Sequence, residues 1–527
     1  MMKKFLFLFV GLSLTSLVNA QVTYTKDIAK IIYNKCTNCH RPGEIGPFNL
    51  MNYQDAKLRA SSIRNVTASK FMPPWKADPA FSRHLGENFL TDDEIKKIGD
   101  WVAGGSPYGN ASEEPPLPVF PEGSALGKPD LVLKFAKKHL HKGTNTDKYR
   151  YFVLPTGLLE NKIVKAIEVR PGNSRIVHHA LIFQDTMGQA RKFDERTPEY
   201  GFEGTTGFTV DQVIFYTQFP GYTPGQKALY FPDGIGQKLN KGSDLVIQMH
   251  YAPVSKDETD STTVNVFFKN PKEQVDRMVQ DFIMLPFSLV TGAQSFVIQP
   301  NTVRTFEGRM TMIEDRSIIG VFPHMHLLGK KWEVWLERPN GTKENLIRIN
   351  DWDFNWQGNY YFKKYIIAPK GSTIVAKATY DNTVNNPFNP FNPPKRMSWG
   401  ENTTDEMFYL PILSVPYNKG DENIVFEDVS TSTEELEAEK TSILAISPNP
   451  ATSTYSTVKV QLGQGGPLNL SVYDVFGKLV RVVKNEEYFN QGIHYIPVHT
   501  ETLSAGTYFI KLKTGSFEST TQLMVAK

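Results

Sequence analysis

The alternation of apolar and polar positions divides the chain. From about Asp130 to Pro416, short apolar runs are broken by Gly, Pro, Asn and Asp, as in Asp130–Phe135, Tyr149–Leu154, Ile163–Val169, Arg175–Phe183, Asp244–His250 and Thr262–Phe268. Ser317–Phe322, Trp332–Leu336, Tyr360–Ile367 and Thr373–Tyr380 continue the pattern, and Val458–Leu462, Leu468–Tyr473 and Thr507–Leu512 resume it near the end. Runs of this length and spacing predict β-sandwiches. Before residue 113 the period is helical instead. Asp27–Lys35 is helix-like, and Thr91 with Glu94 forms a capping box ahead of the apolar face Ile95, Ile98, Trp101 and Val102, which Gly104 and Gly105 stop. At the start, Lys3 and Lys4 precede an apolar core, Phe5–Val18, and the small-residue site Val18-Asn19-Ala20, which reads as an export signal. The predicted organisation is multidomain: a signal over 1–20, a small all-α domain over 21–112, a Pro/Glu/Gly-rich linker over 113–128, all-β sandwiches over 129–275 and 276–419, an acidic linker over 420–442 and a small β-sandwich over 443–527.

Composition narrows the partners. The 527 residues carry a net charge of +3 with no basic block, so nucleic acid is not expected. After the signal no apolar run is long enough for a transmembrane segment. Export permits disulfides, yet the chain has only Cys36 and Cys39. The fold cannot lean on cross-links.

Those cysteines stand in Cys36-Thr37-Asn38-Cys39-His40, the attachment pattern of a covalently bound haem c, with His40 as an iron ligand. A redox dithiol, half a zinc site and a disulfide compete. A zinc site needs ligands that no other cysteine supplies, and a dithiol has no use for the histidine. Met72, in Met72-Pro73-Pro74-Trp75, is the candidate sixth ligand; Met51 and His84 are weaker ones. The segment resembles bacterial cytochromes c, and its Arg41-Pro42-Gly43 and Met72-Pro73-Pro74-Trp75 look like a subgroup fused to copper enzymes.

Histidines supply the second candidate chemistry. His178 and His179 are adjacent within a strand-like run, where neighbouring side chains point to opposite faces unless a bulge or strand end re-aims one. A metal would justify the arrangement; a hydrogen-bonded pair is the alternative. His250 ends Leu245–His250, and His324-Met325-His326 places two rings on one face if the segment is a strand, with Pro323 arguing for an edge. Three imidazoles suit copper or zinc, and two imidazoles with a thioether suit Cu(I). Met407 is the thioether candidate, although by itself it reads as a core methionine. His139-Leu140-His141 is flanked by lysines and is expected at a solvated strand end; His494 and His499 are expected on the surface.

The block from about 125 to 416 resembles the copper type II, ascorbate-dependent monooxygenases, the family of peptidylglycine α-hydroxylating and dopamine β-monooxygenases. Val177-His178-His179-Ala180-Leu181, Gln248-Met249-His250-Tyr251, Pro323–Lys330 and Thr404-Asp405-Glu406-Met407 carry the likeness. It implies two β-sandwich domains with one copper each, facing across a solvent cleft. Copper at His178, His179 and His250 would supply an electron, and copper at His324, His326 and Met407 would take O2. The implied reaction hydroxylates a C–H bond of a small organic substrate, with electrons from ascorbate, another external reductant or the fused haem. Two departures matter. The animal members' disulfides have no counterpart here. The arginine with which peptide-amidating members bind a carboxylate is Phe322, and the assisting tyrosine is Pro411, so the expected substrate is less charged. The alternative function is a surface haem and copper electron-transfer or copper-binding protein without oxygenation.

Residues 443–527 resemble the C-terminal sorting domain of the type IX secretion system, through Ser447-Pro448-Asn449-Pro450, Val472–Lys478 and Leu503–Tyr508. The likeness implies secretion machinery as a partner and export through the periplasm to release or surface attachment; a small binding sandwich is the other reading.

Overall fold

The protein is described here as a computed structural model covering residues 21–118, 120, 123–203, 217–228, 230–232, 234–284, 296–400, 402–426, 441–452, 454–462, 465–490, 492–515 and 517–526. The expected signal at 1–20 and most of the expected acidic linker lie outside the described residues. The chain divides into two compact units, one up to Glu427 and one from Asp428 onward. It is mostly β, in several sandwich-like pairs of sheets.

Helices occupy the start of the described chain. Asp92–Ala103 begins at Thr91 with the full capping box and ends at Gly104. Its Ile98 and Trp101 join Tyr24, Ile28, Ile32 and Ile63 in one apolar cluster. Each such fully buried side chain contributes about 1.5–3 kcal/mol.

Two five-stranded sheets follow. One runs Leu131–Lys134, Thr263–Phe268, Lys162–Arg170, Ile235–Leu239, Arg277–Met278; the other runs Phe202–Glu203, Lys148–Pro155, Asp244–Tyr251, Val177–Asp185, Thr217–Tyr222. Their inner faces share a core that includes Phe152, Val164, Ile182, Ile247 and Val266. The next sandwich pairs the sheet Gln280–Met284, Leu410–Pro416, Arg316–Val321, Tyr360–Ala368 with the sheet Thr302–Thr311, Thr373–Asn382, Gly329–Glu337, Lys343–Ile349. Trp332, Phe408 and Tyr380 are among the large side chains buried there.

The regions predicted as separate pieces are joined more closely than linkers imply. Phe231 and Ile235 share a cluster with Ile319, Tyr361, Leu413 and Phe426, so apolar contact runs between the two sandwiches. Residues 76–87 are laid along the second sandwich: Ala77 bridges Ile349, His84 bridges Phe362, and Asp78 is ion-paired with Arg348 at 2.6 Å. The linker expected at 113–128 is held at both ends. Glu114 accepts hydrogen bonds from Tyr33 and Tyr108, and the Ala125 N–H donates to Glu168. The acidic linker begins later than predicted, because Asp421 is buried against Arg277 and Phe426 is core.

In the second unit, the sheet Ser442–Ser447, Tyr455–Leu462, Gly492–His499 packs on the sheet Leu479–Phe489, Gly466–Asp474, Gly506–Thr514, Phe517–Val525 through Val458, Leu470, Val498 and Leu512. No helix among the described residues is long and apolar enough to cross a membrane.

Candidate metal centre

Neighbouring strands build the first histidine set. Val177–Asp185 and Asp244–Tyr251 pair antiparallel, with His179 opposite His250 and a register shift between Val177 and His179. That irregularity removes the alternation that would send His178 to the far face. His178 Nδ1 stands 3.2 Å from His179 Nδ1 and 3.0 Å from His250 Nδ1, and the third edge is 3.4 Å. A point equidistant from the three nitrogens lies about 1.9 Å from each, so a small displacement out of their plane gives the ~2.0–2.1 Å of a metal–imidazole bond.

The protonation pattern fits a cation. His250 Nε2 lies 2.7 Å from Asp147 Oδ1, which places the proton on Nε2 and leaves the Nδ1 lone pair free. Burial holds His178 below the ordinary histidine range and holds His179 and His250 far below it. Neutral rings with converging nitrogens cannot satisfy all three edges by hydrogen bonding, since each edge needs one donor and one acceptor. Copper and zinc both suit this donor set.

The second set is built differently. Arg316–Val321 ends before the His-x-His, and His324 makes only an isolated bridge to Tyr409, so the pair sits just past a strand end instead of within a strand. Pro323 follows that strand and is compatible with the ladder's end. His326 Nδ1 lies 3.1 Å from the Asp405 carbonyl and donates to it, leaving Nε2 as the lone-pair nitrogen. Burial lowers His324 to about 3 and His326 to about 4. Their rings are perpendicular, with centroids 5.1 Å apart. Met407 is buried and lines the same cleft as both histidines.

Glu406 ties these pieces together. One carboxylate oxygen accepts from the N–H groups of His326 and Met407, each at 3.1 Å, and the other accepts from Leu328 at 2.8 Å. Burial pushes the carboxyl up to about 8 against those donors.

The resemblance implies two sites separated by solvent. The structure brings the histidine sets together instead: the rings of His179 and His324 are 6.3 Å apart. Phe354 packs against His178, His250 and His326 at 5.4, 6.0 and 5.8 Å between centroids. Tyr149 stacks on His250 at 4.2 Å, and its hydroxyl is 3.0 Å from Thr403 Oγ1 in the other sandwich. Contacts across the sandwiches thus narrow the expected gap to a cleft that residues of both sandwiches line. The cleft is lined by aromatic, aliphatic and polar side chains, and both Phe322 and Pro411 line it. So does Asp281, whose carboxyl burial pushes up to about 6.

Near the start of the chain, Cys36 and Cys39 are free thiols. Burial pushes them up to about 12 and about 11. His40 Nδ1 lies 3.1 Å from the Phe48 carbonyl, which fixes its proton there and leaves Nε2 as a ligand atom. Two unpaired thiols beside such a histidine fit covalent haem. Met72 is half-buried, and its N–H donates to Val66. His84 is not placed as a haem ligand: it is fully buried against Tyr360 and Phe362, with Nε2 3.1 Å from the Leu346 carbonyl. His141 is buried, not solvated. Its Nε2 lies 2.9 Å from the Ala252 carbonyl, and His139 and His141 both stack on Tyr251.

Asp147, Phe354, Glu406 and Asp281 were missed in the sequence. Asp147 and Glu406 each had a signal, a carboxylate next to a strand of the site or to a candidate ligand, but nothing local identifies what either one faces.

Residues 445–526 match the family model described as "Secretion system C-terminal sorting domain". The tail is therefore a sorting domain of the type IX secretion system, and the protein is exported and released or held at the cell surface. No curated protein matches the chain. Among solved structures, the chain is similar to a β-glucuronidase of Parabacteroides merdae, with 12% identity over 42% of this chain and 28% of that one and a TM-score of 0.13. A Ruminococcus gnavus β-glucuronidase gives 11%, 43%, 35% and 0.12. One from Dictyoglomus thermophilum gives 11%, 49%, 45% and 0.13. The chain thus spans less than half the length of each, and at such TM-scores the likeness carries no argument about activity.

Proposed function

We propose that the protein is an exported copper-dependent monooxygenase that hydroxylates a C–H bond of a small organic substrate with O2, and that residues 21–112 form a cytochrome c-like haem domain serving it. The observation that carries the reading is the convergence of three histidine nitrogens, with edges of 3.0–3.4 Å, next to a cleft lined by His324, His326 and Met407. Copper bound at these sets would supply O2 reduction, and haem held by Cys36, Cys39, His40 and Met72 would store one electron at a time.

The chain's own residues have separable roles in this reading. Asp147 holds the proton on His250 Nε2 and keeps Nδ1 available. The Asp405 carbonyl does the same for His326. Glu406 fixes the backbone of the His-x-His segment relative to Met407. Phe322, Phe219 and Phe183 give the cleft an apolar body that excludes water and suits an organic substrate.

The test loads the full-length protein with copper and follows O2 consumption across small aromatic, amine and amide compounds with ascorbate present. The expected result is substrate-dependent uptake with a hydroxylated product, lost in Met407→Ala. Two bound coppers without substrate-dependent uptake from any compound would leave the electron-transfer reading in its place.

A further inference from the structure

We propose, resting on the haem-and-copper reading above, that the turn Tyr222–Gln226 is the junction through which electrons pass from the Cys36–His40 segment to the histidine sets. The turn is the place where that segment, the His178–His179 strand and the cleft wall meet.

Two points of the first sandwich touch Cys39 and the turn just after His40. Ser174, four residues ahead of His178, donates from Oγ to the Gly43 carbonyl at 2.7 Å. At Gly225, φ is +76°, and a Cβ would stand 3.0 Å from Cys39 Sγ. A residue without a side chain lets this turn lie against the sulfur.

From there the path to the histidines is short in bonds. Thr217–Tyr222 pairs with Val177–Asp185, and Tyr222 stands opposite Ala180, the neighbour of His179. The approach is tight enough that a Cβ on Gly221 would meet the Ala180 carbonyl oxygen at 2.2 Å. Tyr222 packs on the sandwich core and lines the cleft. Burial pushes its phenol up, with nearby Glu44 adding to the shift. On the other flank, Gln226 Nε2 donates to the Asn359 carbonyl at 2.7 Å, and the Asn359 N–H donates to Gln226 Oε1 at 3.0 Å. Asn359 belongs to the cleft wall of the second sandwich. These contacts hold the cysteine segment at a fixed place beside the site, which is the protein's part in positioning a redox group.

The electrons balance as follows. Hydroxylation consumes two: RH + O2 + 2 e− + 2 H+ gives ROH + H2O. Each passage through the junction oxidises haem iron from Fe(II) to Fe(III) and reduces one copper from Cu(II) to Cu(I), and a one-electron donor outside the chain re-reduces the haem between passages.

The experiment uses the full-length protein carrying haem and Cu(II), without O2. A photoreductant pulse reduces the haem, its re-oxidation is followed by absorbance, and the loss of Cu(II) is counted by electron paramagnetic resonance. Wild type should re-oxidise its haem with matching loss of Cu(II). Tyr222→Leu should slow this at least ~10-fold, Tyr222→Phe, which keeps the ring, by less than ~3-fold, and Ser174→Ala, which deletes one contact, by about 2–5-fold. Unchanged haem and Cu(II) spectra before the pulse show that the variants keep both groups in place. Re-oxidation at the wild-type rate in both Tyr222→Leu and Ser174→Ala overturns the junction, as does wild-type haem that stays reduced beside Cu(II). If ascorbate then still drives substrate-dependent O2 uptake, the monooxygenase reading survives the loss of this inference. If no reductant does, that reading fails separately.

Discussion

The two histidine sets solve the same problem by different means. His179 and His250 face each other across a ladder of two central strands, and one register shift brings in His178, so backbone pairing itself sets the geometry. His324 and His326 lie beyond their strand and depend on a buried carboxylate, Glu406, to hold them against the segment that carries Met407. A site built on paired strands is rigid from the start, whereas a site built on a strand end borrows rigidity from one side chain. The contrast suits the proposed division of labour: a centre that only passes electrons gains from rigidity, and one that admits O2 and substrate needs an accessible edge.

Substitutions on each side can break or sharpen this contrast. The largest effect is expected from His250→Ala, which removes one nitrogen of the triangle and leaves Asp147 without its partner. Copper content measured by elemental analysis should fall from two ions per chain to one, and O2 uptake should cease. Retention of both ions would sink the assignment of the triangle. Glu406→Gln comes next. It swaps one acceptor oxygen for an NH2 among backbone donors that all point inward, and should cost about 1–3 kcal/mol in denaturant unfolding of the first unit. A loss below ~1 kcal/mol would mean that the His-x-His segment stands without its carboxylate.

Asp147→Asn keeps the shape but loses the charge behind His250. Copper affinity of the first set should drop about 10–100-fold, as measured by competition with a chelator, while the second set is unchanged. An equal loss at both sets would merge what the comparison separates. The smallest effect concerns Asp281. Its folded carboxyl titrates near 6, above the ordinary 3.8, because burial disfavours the charge. Its favourable contribution is therefore complete below about 4 and is lost as pH rises through 6. Asp281→Asn should raise stability at pH 8 by on the order of 1–2 kcal/mol relative to wild type and change little at pH 4. Thermal melts at the two pH values check this, and a destabilisation at pH 8 would mean that the carboxylate has a favourable partner.

Much of the layout was legible because its signals are local. Thr91 and Glu94 announce their helix within four residues, and the expected run Tyr360–Ile367 differs from the observed strand Tyr360–Ala368 by one residue. The segment His324-x-His326 lies just past a strand end, near the edge that Pro323 argues for, and not within a strand. Strand period and the end of a strand look alike over three residues, and the competing pull is the backbone bond between His324 and Tyr409, more than eighty residues later. His84 was offered as a haem ligand for want of any sign that Tyr360 and Phe362 enclose it. The lysines beside His139 and His141 suggested solvent, yet Tyr251 covers both rings.

By itself the sequence determined the succession of helical and β regions, the Cys-x-x-Cys-His signature, the short list of candidate metal-binding side chains and the sorting tail. Each of these is written in neighbouring residues, through periodicity, capping and spacing. Tertiary structure alone decided that the histidine sets adjoin, that Phe354 and Tyr149 pack between the sandwiches, that Asp147 and Glu406 stand behind the candidate ligands and that Gly225 meets Cys39. Those relations join residues dozens to hundreds of positions apart. They come from strand pairing and shared apolar burial, which bring distant segments together without marking either one locally.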